Sequence, residues 1–247
     1  MDISGQYTKE IQEQLKYTAT WLPNVRISLG DVGTLQDHEF HPQGNLSDFG
    51  IAFETSEGTG QAEFDYASKD GVSVQVKLVG EAPPLGSTLA QADAGVTIKF
   101  GRENAVLFRA TRCTSSRIRN INALGRTIIE KSSNNDWQKE LAVVTQVISA
   151  EGTTIIISHG NNSQIELSAK GKLEPGKVNL ADVSADFNIS NESNIATRFV
   201  AEPNMTPLFE AWGLTHSPWS RQKFVPHGFR DNGLEFGKVG YDDYAST

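Results

Sequence analysis

Around Asp70-Gly71 the sequence alternates with a period of two on both sides. Ala62, Phe64 and Tyr66 alternate with Glu63 and Asp65 before it, and Val72, Val74, Val76 and Leu78 alternate with Ser73, Gln75 and Lys77 after it. A strand points successive side chains to opposite faces, so this pattern specifies extended chain with one apolar face and excludes a helix. An Asp-Gly pair accepts the left-handed backbone of a tight turn, which predicts a two-residue hairpin. The same pattern returns where Val96, Ile98 and Phe100 alternate with Thr97 and Lys99, and where Val106, Phe108 and Ala110 follow a turn at 101–104. Three further strands are predicted at 142–149, 153–159 and 163–170, joined at Glu151-Gly152 and Gly160-Asn161-Asn162. Val183, Ala185, Phe187 and Ile189 then alternate with Ser184, Asp186 and Asn188 before a turn at 191–194 and a strand at 195–201. With shorter segments at 17–22, 25–29 and 35–40, the expectation is an α+β fold, predominantly antiparallel β, with about ten strands in hairpins and meanders.

Three short helices are predicted. In 7–16, Tyr7, Ile11 and Leu15 recur four apart among polar residues. In 115–130, Ile118, Ile121, Leu124 and Ile128 keep helical spacing behind Thr114 or Ser115 as cap, with Arg117, Arg119 and Arg126 on the other faces and Gly125 as an interruption. In 206–213, Pro207 follows Thr206 at a first helical position. Residues 1–214 read as one β-rich domain. Residues 215–247, with scattered aromatics and glycines, read as a tail packed on the body or partly disordered.

Cys113 is the one cysteine, which excludes an intramolecular disulfide framework and any multi-cysteine metal site. No stretch of eighteen apolar residues and no basic leader followed by an apolar run is present, so no transmembrane helix is expected and the expected compartment is cytoplasmic. No catalytic, cofactor-binding or metal-binding residues are assigned. His38-x-x-His41 lacks a third ligand beyond Asp37 or Glu39, and Asp31 in Gly30-Asp31-Val32-Gly33 reads as a turn aspartate bonded to its own backbone. The sequence has no nucleophile elbow, phosphate loop or dinucleotide fingerprint, which leaves an enzyme without support rather than excluded.

Charge is the most uneven property of the chain. Against a net −8 overall, segment 99–131 carries Lys99, Arg102, Arg109, Arg112, Arg117, Arg119, Arg126 and Lys131 against Glu103 and Glu130, a local +6. Such asymmetry points to an anionic partner, either an acidic protein surface or anionic lipid. Nucleic acid fits less well, because the only aromatics in the segment, Phe100 and Phe108, fall on the apolar face and the rest of the chain is acidic. The competing reading is that these cations neutralise the acidic remainder within the fold or between subunits, and oligomerisation is compatible with either. The expectation from the residues is a non-enzymatic β-rich binding protein that uses 99–131 to engage an acidic partner.

A second reading follows from the order of elements. A short N-terminal helix, a small hairpin, long alternating hairpins flanking a basic helix, and a short C-terminal segment resemble a bacterial gasdermin over roughly 7–214. This resemblance implies a membrane pore-former held inactive by the residues after about 214. It further implies release by proteolysis in a linker such as 217–225, where Arg221 and Lys223 lie. Those proteins commonly carry a cysteine near the N-terminus, whereas the cysteine here is at 113.

Overall fold

The computed structural model describes residues 2–85, 87–91, 93–169, 178–216 and 234–243. In chain order the elements are α1 (Ile3–Leu15), β1 (Thr18–Ala19), β2 (Asp31–Gln36), β3 (Glu39–Asn45), β4 (Thr55–Glu57), β5 (Ala62–Ala67), β6 (Val72–Lys77), β7 (Ala94–Phe100), β8 (Val106–Ile118), α2 (Ile121–Ser133), β9 (Ala142–Ser158), β10 (Ser163–Ala169), β11 (Phe187–Ser193), β12 (Ile195–His216) and β13 (Leu234–Val239). The class is α+β and mostly antiparallel β, with thirteen strands and two α-helices among the described residues.

Three long strands, β12, β9 and β8, form the middle of a nine-stranded sheet. Beyond β12 lie β1 and β13, beyond β8 lie β4 and β5, and β2 continues beside β9 and carries β3. A second, four-stranded sheet has the order β11-β10-β7-β6. Leu107 and Ile156 of the large sheet share a buried cluster with Val96, Ile98, Phe100, Ile165 and Leu167 of the small one, so the two pack face to face. On its opposite face the large sheet receives α1, whose Tyr7 and Ile11 pack with Val106, Phe108, Ile155 and Ile157. Helix α1 begins at Ile3 because Asp2 caps it, accepting the Gly5 N–H at 2.8 Å, and it ends at Lys16 with φ +65°.

The hairpins expected around Asp70-Gly71 and 101–104 are not hairpins. Strand β5 pairs with β8, and β6 pairs with β7. Asp70 does adopt the left-handed backbone, at φ +54°, yet the turn carries the chain from one sheet to the other. The connections β7 to β8, β9 to β10 and β11 to β12 do the same. Nor does Glu151-Gly152 form a turn, since β9 runs through it for 17 residues. Glycine is needed there because a Cβ would lie 1.9 Å from the Ala181 carbonyl oxygen, where 178–185 crosses the sheet.

The helices also need correction. Thr114, Ser115 and Arg117 extend strand β8, and α2 starts only after Asn120, whose side chain accepts the Glu54 N–H at 2.9 Å instead of capping the helix. Gly125 does not interrupt α2; it makes room for Phe236, whose ring carbon would be 3.0 Å from a Cβ. Segment 206–213 is strand, part of β12, with its register shifted between Met205 and Leu208. After residue 214 the described chain enters the large sheet, where β13 pairs with 211–216 and buries Phe236 against α2. Arg221, Lys223 and the linker 217–225 lie outside the described residues.

Candidate functional site

The eight cations of 99–131 do not share one face. Arg102 pairs with Glu10 of α1 at 2.7 Å, Arg109 with Asp65 at 3.3 Å and Arg112 with Glu151 at 2.5 Å, so three are neutralised locally. Lys99 lies on the outer face of the small sheet, near the Leu85 carbonyl. Arg126 and Lys131 belong to α2. Arg117 and Arg119, expected on that helix, instead leave the end of β8 together. They line a groove of about 390 Å³ with Ser56, Gln146, Glu210 and Trp212, and Arg117 Nε donates to Ser56 Oγ at 3.5 Å. Among the described residues neither makes an ion pair. The groove thus presents two arginines of the basic segment side by side to an anion.

A more ordered feature is the small sheet itself. Its ladders place Val74, Ile98 and Ile165 in one cross-strand row and Val76, Val96, Leu167 and Ile189 in the next. Between them run Gln75, Thr97, Glu166 and Asn191, and beyond the first run Ser73, Lys99, Gln164 and Ser193. One face of the sheet is therefore apolar across β6, β7 and β10, with Glu192 of β11 completing the first row, and the other face is polar. The apolar face is fully buried in the middle, at β7 and β10, but Val74, Val76 and Ile189 on the edge strands are 39–41% exposed.

Residues 78–85, 87–91 and 93 cover the polar face, and two buried charges hold them. Glu166 accepts the backbone N–H of Thr88 at 2.9 Å and its hydroxyl at 2.5 Å. Burial pushes its carboxyl up, but the Thr88, Ser87 and Asn191 donors outweigh this and hold it below the usual range. The Lys77 ammonium donates to the carbonyls of Leu78, Gln91 and Asp93. On the apolar side, Thr154 donates to the Leu180 carbonyl at 2.6 Å and Thr111 to that of Ala181 at 3.3 Å, fixing 178–185 against the large sheet.

Both sheets keep the same neighbour order. In the large sheet it is β5-β8-β9-β12, and in the small sheet β6-β7-β10-β11, with each strand joined to its counterpart by one short connection. The four connections form a line. Gly101 N–H donates to the Gly71 carbonyl, Asn104 N–H to that of Ser158, Ser158 Oγ to that of Arg102 and His159 N–H to that of Asn194. Ser163 Oγ also donates to the Asn194 carbonyl at 2.8 Å. A four-stranded ribbon is thus folded back on itself along one hydrogen-bonded hinge.

Sequence reasoning missed this hinge because period-two alternation identifies faces, and faces are shared by hairpins and by strands of stacked sheets. Lys77 and Glu166 were visible only as polar residues at alternate positions. Elsewhere, Asp31 accepts the Ser28 N–H at 2.7 Å as a turn aspartate does, and His38 meets Thr8 Oγ at 3.1 Å. The Cys113 thiol is pushed up to about 12, chiefly by burial and then by Glu63, and at neutral pH it is no nucleophile. Among the described residues there is no group of three metal-ligating side chains, and no helix is long and apolar enough to cross a membrane. Neither a protein-family model nor a curated protein matches the sequence.

Proposed function

We propose that the protein inserts β-hairpins into membranes, as its resemblance to bacterial gasdermins implies, by swinging β6–β7 and β10–β11 out about the hinge line. Each small-sheet strand would then continue its large-sheet counterpart, and the shared neighbour order means that no strand pairing has to be exchanged. The observation that carries this reading is alternation longer than the strands it forms. Ala90, Ala92, Ala94, Val96, Ile98 and Phe100 alternate with Gln91, Asp93, Gly95, Thr97 and Lys99, while β7 begins only at Ala94. Val183, Ala185, Phe187 and Ile189 likewise alternate with polar residues, while β11 begins only at Phe187. The first run spans the eleven residues from Ala90 to Phe100, within the roughly 9–11 a barrel strand needs to cross a bilayer, and the second spans the seven from Val183 to Ile189 before Asn191-Glu192-Ser193 end it.

The energetics favour lipid as the trigger. Exposing Val96, Ile98, Phe100, Ile165 and Leu167 to water, at roughly 1.5–3 kcal/mol each, costs on the order of 10 kcal/mol, comparable to the stability of a whole domain. Lipid contact in place of water removes most of that cost, because hydrocarbon receives the same face. The polar rows would line the lumen, and the Arg117–Arg119 groove would make the first contact with an anionic partner, whether headgroup or acidic protein.

The test is dye release from anionic vesicles by the full chain and by Val76→Lys and Ile189→Lys. Both positions are 41% exposed, so the folded body tolerates the change. On a lipid-facing strand a lysine costs about 2–4 kcal/mol near the bilayer centre, so release should fall about 30-fold or more. Release by both variants at the wild-type rate, or none from the wild-type chain, would sink the reading.

A further inference from the structure

The hinge is tied to α1 by one side chain. Glu10, buried on the inner side of α1, accepts hydrogen bonds from Tyr66 Oη at 2.8 Å, Ser68 Oγ at 2.6 Å, Gln6 Nε2 at 2.5 Å and Arg102 at 2.7 Å. Tyr66 is the penultimate residue of β5, Ser68 opens the connection to β6, and Arg102 sits in the connection from β7 back to β8. One carboxylate thus holds both points at which the β6–β7 hairpin leaves the large sheet. Ser68 Oγ in turn accepts the Val106 N–H at 2.8 Å, and the Arg102 carbonyl accepts Ser158 Oγ at 2.7 Å, so the contact is continuous with the second hairpin's connection.

We infer that α1 is the catch of this hinge, with Glu10 as the pin that keeps the β6–β7 hairpin folded back until α1 is lifted. This rests on the insertion reading and adds its regulation. Of the four groups that donate to Glu10, Gln6, Tyr66 and Ser68 are neutral and Arg102 is fixed in charge, and among the described residues Arg102 is the one cation paired with it. Burial pushes the Glu10 carboxyl up, but the donors from Ser68, Arg102, Gln6 and Tyr66 outweigh it and hold it below the usual carboxylate range. Its contribution is therefore complete above the ordinary carboxylate value and lost only as the pH falls through the lowered one. Mild acidification leaves the pin engaged, so release comes from displacing α1, not from protonation.

Native-state hydrogen exchange without membrane tests the pin, and dye release tests insertion. In Glu10→Gln, which removes the charge and keeps the shape, the amides of Gly71, Gly101 and Asn104 should exchange about tenfold faster than in wild type, outpacing any change within α1. Ile11→Ala, which loosens α1 without touching the carboxylate, should accelerate α1 and the hinge together, and Glu13→Gln on the same helix should change neither. Vesicle release by Glu10→Gln should be about tenfold faster as well. Unchanged hinge amides, or hinge amides that accelerate only in step with α1, would overturn the pin. Faster hinge exchange with vesicles left intact would keep the pin and overturn insertion.

Discussion

The eight cations that dominate the charge pattern have different environments, and only geometry separates them. Arg102, Arg109 and Arg112 each face a carboxylate, which leaves little field for a partner. Arg117 and Arg119 flank an open groove beside Trp212. Reversing both, as Arg117→Glu with Arg119→Glu, should weaken co-sedimentation with anionic vesicles at low salt by at least tenfold, given about 1 kcal/mol per cation near such a surface, with the difference vanishing at high salt. Equal partition of the variant and wild type would leave the groove without a role in docking. The charge segregation was legible in the sequence because it depends on residue order alone. Its division into paired and open cations was not, since Glu10 and Arg102 are 92 residues apart.

At the scale of elements, the sequence located β6, β7, β10 and the two ends of β9 as extended segments, and it located α1 through Tyr7, Ile11 and Leu15, but it read strand at 25–29, where none forms, and across 35–40, where the chain turns between β2 and β3. It misdirected where a local signal had two uses. Asp70-Gly71 has turn chemistry in either a hairpin or a sheet-to-sheet connection, and here β5 pairs with β8 while β6 pairs with β7 in the other sheet. Thr206-Pro207 has helix-start chemistry, but the β9 ladder holds it extended. Gly125 and Gly152 read as a break and a turn, whereas each makes room for a distant group, Phe236 or the Ala181 carbonyl. Strand β13 owes its place to that first contact. Phe236→Ala should therefore destabilise the protein by about 3 kcal/mol, read as a lower urea midpoint with an unchanged slope. An unchanged midpoint would mean that β13 is an ornament on the sheet rather than part of its core.

The whole molecule is organised around one ribbon of four strands folded along a line, with its apolar face turned inward and with alternation that runs beyond the strand at β7 and β11. The shared neighbour order of the two sheets makes straightening possible without exchanging partners, and lipid would take the face that water cannot. The most direct measurement is a scan with an environment-sensitive fluorophore on single cysteines from 183 to 193, in a Cys113→Ser background, with the protein bound to anionic vesicles. Insertion should shift emission to the blue at Val183, Ala185, Phe187 and Ile189 and leave it aqueous at Ser184, Asp186, Asn188 and Ser190, a period of two carried through 183–186, which form no strand in the folded-back state. Aqueous emission at every position from 183 to 186 would contradict it.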